Sequence, residues 1–353
     1  MKKIALLGFM ILFAAGSLFA LNVDIDLPGL PGGSSYTGGL DAPMAQFKAE
    51  AENILGMFDK MDNIVKGMAN TGSYASDGAT TRNFLGYEWF TLGVGTMGAL
   101  QLPSYNPDVE EFMNNIKDGE NFYFGANAQA LTVSGGVNLE TLLDIEGLYV
   151  SGKVGTLSLN LYDFDVDTFS WGLFAQYQLV KPVSNLYIAW RGLQVGTGFV
   201  YYSSDISFSM NKVVIAGGVD TSAGTNRSLS LDNDMTVKAS IRGIKIPLDL
   251  MTGVRLGILD ISFGLGIDIN AWGTSEVSYK ISGPISIDVL GSSLGHVEIT
   301  GGTTGGGADV FRFKAMGGVG LTLGPVKIDF PVTYYFDSKG PGANLGVTGG
   351  FVW

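Results

Sequence analysis

The chain has 353 residues, 46% of them apolar and only 15% charged, with 52 glycines, one histidine and no cysteine. Its mean hydropathy is +0.26, yet beyond residue 20 no apolar run reaches the roughly 18 residues that a spanning helix needs. A formal net charge of −12 excludes a nucleic-acid partner, and the lack of cysteine excludes disulfides, thiolate metal sites and cysteine nucleophiles.

Residues 1–20 read as a secretory leader. Lys2 and Lys3 are basic, Ile4 to Ala15 is apolar, and small residues end at Ala20, the expected cleavage point. With those two lysines removed the charge becomes −14. Residues 21–40, rich in Gly and Pro, predict an extended loop. Over 43–69 the period changes. Met44, Phe47, Ala51, Ile54, Leu55, Phe58, Met61, Val65 and Met68 recur at steps of three or four, which predicts a helix with Asp41 as N-cap. Residues 70–82 read as a polar linker. The segment 21–82 is thus expected to form a helical plug or cap, and 83–353 a barrel.

From Asn83 the period is two. The clearest segment is 326–337, where Val326, Ile328, Phe330, Val332, Tyr334 and Phe336 face one way and Lys327, Asp329, Thr333, Tyr335 and Asp337 the other. Similar alternation at 244–256, 259–269 and 309–323 puts Lys245, Asp249, Arg255, Asp260, Asp268, Arg312 and Lys314 on polar faces. Further strands are expected at 84–102, 121–134, 146–162, 168–181, 186–203, 205–217, 228–242, 275–289 and 343–353. Pro331 inside a strand predicts a bulge or a rim, and a phase slip near Gly155 predicts another bulge. The fold class is all-β: a transmembrane antiparallel barrel of about 12–14 strands, one face oily for lipid and one polar for a lumen. Aromatics near strand ends (Tyr87, Trp89, Phe90; Tyr187, Trp190; Phe199, Tyr201, Tyr202) fit interfacial girdles.

No catalytic residue, metal site or cofactor is expected. His296 lies in a Gly-rich stretch with no base–nucleophile arrangement. Asp232-Asn233-Asp234 lacks the closing Glu of a calcium loop and reads as a solvated turn. Gly301–Gly307 lacks the Lys of a phosphate loop and reads as a flexible surface loop. Asn106-Pro107-Asp108 before Val109, Phe112, Met113 and Ile116 reads as a short capped helix.

The chain ends on an alternating strand with Leu345, Val347, Phe351 and Trp353 on one face. This resembles the C-terminal signal of bacterial outer-membrane barrels, with Phe351 and Trp353 as the residues the barrel-assembly machinery would read. The helical segment ahead of a barrel, with Ile246–Gly253 and Leu259–Gly266, resembles the FadL/TodX family of hydrophobic-substrate transporters. The Asn-Pro-Ala hatch tripeptide of that family is absent. The resemblance implies passive uptake of small hydrophobic molecules, long-chain fatty acids among them, and transfers no binding residue; as a plug, the helix itself would offer an apolar ligand the oily surface of Met44, Phe47, Met57, Phe58, Met61 and Met68. A general porin stays open as an alternative, its lumen lined by Lys245, Asp249, Arg255, Asp260, Asp268, Arg312, Lys314 and Asp329. So does a structural or adhesion barrel, which a long, exposed, polar loop set would favour, although most loops in this sequence read as short. Outer-membrane lipid, the assembly machinery and a hydrophobic ligand are the expected partners.

Overall fold

The computed structural model describes residues 22–26, 62–77, 89–102, 123, 125–161, 163–185, 188–219, 227–287, 293–337 and 339–352. Ahead of the wall come β1 (Asn22–Asp26) and helix α1 (Asp62–Ala75). The wall begins with β2 (Phe90–Gln101) and β3 (Gly125–Asn138), followed by a short helix α2 (Leu139–Leu143). Then come β4 (Leu148–Leu161), β5 (Phe164–Val180), the two-residue β6 (Val183–Ser184), β7 (Ile188–Val219), β8 (Arg227–Leu256) and β9 (Leu259–Ile287). The chain closes with β10 (Ser293–Gly306), β11 (Phe311–Leu323), β12 (Val326–Phe336) and β13 (Gly342–Val352).

The pairing closes on itself. β2 pairs with β3, then β4, β5, β7, β8, β9, β11, β12 and β13 follow in turn, and β13 returns to β2, every neighbour antiparallel. A closed barrel leaves no unpaired edge, which is what hydrocarbon demands of a sheet. The wall has ten strands rather than 12–14. Three pairs of expected segments are single long strands: 186–203 with 205–217 is β7, 228–242 with 244–256 is β8, and 259–269 with 275–289 is β9. Neither Ser204 nor Gly243 interrupts its strand, because both stay in the β7–β8 ladder.

The two ends of the barrel differ. At one end, the turn end, Gly257-Ile258 and Gly324-Pro325 join strands in two residues, with Gly257 and Gly324 at φ +61 and +62, the left-handed conformation that favours glycine. α2 also lies here, capped by the Asn138 side chain accepting from the Glu140 N–H. At the other end, the mouth, β7, β8 and β9 run on past the wall, with 32, 30 and 29 residues. Along β9 this extension gains β10, and along β10 it gains β1, so its order is β7-β8-β9-β10-β1.

Several local expectations are corrected. Pro331 marks neither a bulge nor a rim. The β12–β13 ladder omits residues 330 and 331 without changing register, because proline has no N–H to give. No register shift occurs at Gly155. The β3–β4 pairing ends at Leu131 and Thr156 although both strands continue, so Leu157, Leu159 and Leu161 lie on a part of β4 paired with β5 alone. Register shifts fall instead beside Thr96, Leu179 and Ala271, between Trp190 and Leu193, and in the extension between Asn211 and Val213 and between Ser293 and Gly295. Gly301–Gly306 is no loop but part of β10, and Asp232–Asp234 is no turn but part of β8. Within the expected loop 21–40, Asn22–Asp26 is a strand. The capped segment at 106–116 lies outside the described residues.

The alternation sorts the wall into two environments. Outward side chains include Phe311, Leu265 and Leu345, which are 67%, 63% and 62% exposed. Trp89, Tyr177, Trp190 and Phe351 cluster toward the turn end, and Trp272, Phe311, Tyr334 and Phe336 toward the mouth. Inward positions are polar and buried: Thr91, Gln129, Thr132, Ser134, Gln176, Gln194 and Thr348. That inversion of a soluble protein's pattern is what an oily solvent selects. No described helix is long and apolar enough to cross a membrane.

Candidate functional site

A barrel of eight strands closes on its own side chains. Ten strands leave space for one helix, about 10–12 Å across with its side chains, where facing residues are small. α1 occupies that space, buried at Val65 and from Gly67 onward. Its sequence supplies Gly67, Ala69, Gly72, Ser73 and Ala75, and the wall supplies Gly125 and Gly342. A Cβ on Gly125 would overlap the Gly67 carbonyl oxygen, and one on Gly342 would overlap the Tyr74 ring. The helix therefore extends to Ala75, into the first half of the expected polar linker, because its polar residues face a polar wall. Residues 43–61 of the expected helix lie outside the described residues.

Two layers of polar contacts fix α1. Near the mouth, Lys66 pairs with Asp309 at 3.0 Å. Asn70 donates to Gln101 at 2.8 Å and accepts from the Asp309 N–H at 3.2 Å. Asp309 also meets Arg312 at 2.7 Å and Lys339 at 3.3 Å. Arg312 reaches Asp337 at 3.1 Å, donates to the Tyr74 hydroxyl and lies over that ring. Deeper, Asp77 closes the end of the helix against the wall. It pairs with Lys245 at 2.8 Å and Lys314 at 3.5 Å, and accepts from the Tyr335 hydroxyl. Lys314 also contacts Asp268 at 2.5 Å and Asp249 at 3.0 Å, while Lys245 contacts Asp268 at 3.3 Å. Lys245 donates to the Ser73 carbonyl at 2.5 Å, and Lys153 donates to that of Ser76. Tyr74 and Tyr335 stack at 3.8 Å between centroids.

A third layer lies nearer the turn end. Arg255 grips Asp260 at 2.8 and 3.0 Å, Thr322 donates to Asp260 at 2.5 Å, and Lys327 stands 3.8 Å away. Asp329 is buried beside it. The eight ionisable residues read from the alternation thus all face inward. Seven are buried, with Arg255 partly exposed, and they pack against α1 or one another rather than edging an open, wetted pore. Of the six residues expected to bind an apolar ligand, only Met68 is described, and it is buried against the wall. Met44, Phe47, Met57, Phe58 and Met61 lie outside the described residues. Phe351 faces outward, 46% exposed, and Trp353 is outside them, as is the side chain of His296.

Sequence reasoning missed Tyr74, Asp77, Lys153, Asp309 and Tyr335 as members of this cluster, and Asn344, whose amide donates to the Tyr74 carbonyl at 3.0 Å and the Tyr335 hydroxyl at 3.1 Å. Tyr335 carried a signal, since it stands on the polar face of β12 with Lys327, Asp329 and Thr333. Asp77 carried none, because nothing in a linker-like stretch marks a residue that ends a buried helix.

Asp309, between β10 and β11, gives the mouth layer a pH dependence. Burial alone would raise its carboxyl, but Arg312, Lys66 and Lys339 together hold it below the ordinary 3.8. A depressed carboxyl contributes stability that is full above its unfolded value and lost as pH falls through the folded one. Acidification below about 3.8 should therefore release Lys66 and loosen the helix entry. Proteolysis after Lys66 should rise in that window in the native protein. In Asp309→Asn it should be raised already at neutral pH and lose that acid dependence.

A family model described as Lsa36-like matches residues 36–351. No curated protein matches the chain. Among solved structures, the translocator domain of the autotransporter NalP from Neisseria meningitidis is 10% identical with TM-score 0.30, covering 90% of this chain and 100% of that one. A FadL homologue of Pseudomonas aeruginosa is 7% identical with TM-score 0.26, covering 82% and 98%. The toluene transporter TodX of P. putida is 6% identical with TM-score 0.26, covering 81% and 93%. FadL-type barrels thus stand among the neighbours, beside an autotransporter translocator. A closed antiparallel wall, oily outside and polar inside, places the chain in a bacterial outer membrane.

Proposed function

The chain belongs to the Lsa36-like family, and from its filled lumen and tall extension we propose that it is a sealed outer-membrane anchor, a structural or adhesion protein that displays a sheet outside the cell. The observation that carries this reading is the run of β7, β8 and β9 past the wall, which provides the long exposed element that a surface protein needs and a transporter does not. The interior supports it. α1 and three layers of paired charges fill the lumen, leaving no apolar path among the described residues, and desolvated ion pairs make a poor resting place for an oily ligand.

The test is conductance in planar bilayers together with surface display. The mature chain should insert and pass little or no steady current, while antibody raised against the β7–β8 hairpin binds intact cells. A large, steady current from the intact chain would overturn the sealed-anchor reading and restore the porin.

One feature favours a second reading, the uptake of small hydrophobic molecules. A groove of about 590 Å³ in the wall is lined by Gly135, Val137, Val150, Gly152, Leu173, Ala175 and Thr197, with Gly136, Ser151, Phe174 and Gly198. It opens where the outward positions of β3, β4 and β5 carry small side chains beside exposed Leu173. Faster entry of oleate into liposomes holding the protein than into empty ones would support uptake. Equal rates would remove it.

A further inference from the structure

The path of the chain through its own barrel bears on where the N-terminal end lies. α1 runs from the mouth inward. Its first described side chain, Val65, lies 3.3 Å from where a Cβ on Gly305 would stand, and Lys66 pairs with Asp309. Both partners belong to the mouth, at the junction of β10 and β11. Its last residues meet Lys245, Lys314 and Lys153, deeper in the wall. The chain next joins the wall at the opposite end, where the Trp89 carbonyl accepts from the Asn138 N–H and Phe90 stands opposite Val137. Upstream of the helix, β1 pairs with β10 from Asn22 opposite Thr300 to Asp26 opposite His296. Those partners are part of the extension.

β1 thus lies along the extension, α1 points from the mouth inward, and the wall starts from the turn end at Phe90. We propose that the N-terminal strand β1 is displayed on the outer surface of the cell, held there by strand addition to the edge of β10. This rests on the surface-anchor reading, which puts the extension outside and the short turns in the periplasm. A strand laid along an exposed edge satisfies that edge's backbone groups and blunts pairing with other chains. It also makes the N-terminal end a carrier. A segment joined ahead of Asn22 would be presented outside without passing through the wall's loops.

The absence of cysteine makes the test direct. Three single-cysteine variants are expressed in whole cells: Asn22→Cys in β1, Gly218→Cys in the extension and Ile258→Cys at a two-residue turn. Each is treated with a membrane-impermeant biotin-maleimide before and after permeabilisation. Asn22→Cys and Gly218→Cys should be labelled on intact cells, and Ile258→Cys only after permeabilisation. If Gly218→Cys reacts outside but Asn22→Cys only after permeabilisation, N-terminal display is overturned while the surface-anchor reading stands. If Gly218→Cys is protected and Ile258→Cys reacts on intact cells, the orientation is reversed and both fall. An epitope placed between the expected leader and Asn22 covers the case in which the cysteine is sterically hidden. Antibody should bind it on intact cells, and binding that requires permeabilisation overturns the display.

Discussion

Replacing Lys314 with methionine should unseat α1 and open a conducting path through a barrel that is still folded. The Lys314 ammonium is fully buried and faces Asp268, Asp249 and Asp77 from one position on β11. Methionine keeps much of the volume and removes the charge. Lys245 is then left as the close cation for Asp77 and Asp268. Removing one partner of a buried ion pair costs about 3–5 kcal/mol, because the remaining charge stays desolvated. The ladder of backbone hydrogen bonds around the wall does not depend on that side chain, so the helix gives way before the wall does. Heat-modifiable migration on gels should persist, while bilayer recordings show steps absent from the parent. An unchanged, silent recording would mean that charge pairing does not hold the helix. Adding Asp77→Asn to Lys314→Met lowers the excess of buried carboxylates over cations and should recover part of the lost stability.

The second large effect is steric. Gly125→Val places a branched side chain where even a Cβ would overlap the Gly67 carbonyl oxygen and stand 2.8 Å from the Met68 nitrogen. The struck atoms are backbone, so no side-chain rotation relieves the clash. Overpacking of a close contact costs typically about 1–3 kcal/mol, and here the cheaper response is for α1 to leave the wall. The control is Gly98→Val on β2, where nothing lies within 4 Å of the added Cβ. Gly125→Val should lower the melting temperature and expose the bond after Lys66 to trypsin, and Gly98→Val should do neither. Equal behaviour of the two variants would place the helix elsewhere.

The wall was legible in the sequence because strand alternation records two solvents at once, as β12 shows from Val326 to Phe336. Eight of its inward charges could be named for the same reason, while Lys153 on β4, where the alternation slips, was missed. The strand count was not legible. A strand that leaves the membrane exchanges lipid for water on its outer face, so the alternation falters at the crossing and one strand reads as two, as in β7, β8 and β9. The helix was legible only where it was amphipathic. From Asn70 to Asp77 its neighbours are polar on nearly every side, and a helix in a polar lumen has no oily stripe to show. β10 was hidden by its composition, since Gly301–Gly306 is mostly glycine and has few side chains with which to alternate.

The length of β7 sets a stand-off distance. At roughly 3.3 Å per residue, its 32 residues extend on the order of 100 Å along the strand, or roughly 80 Å along the barrel axis at a tilt of about 40°. The oily belt of such a barrel takes up roughly 25 Å of that height. With the extension outside, as the surface-anchor reading has it, the tip stands well clear of the membrane, at a level where large molecules can meet it without touching lipid. Because β7, β8 and β9 are continuous from belt to tip, a pull on the tip passes along covalent backbone into the wall, and the load is borne by a closed ring of paired strands and not by a flexible tether.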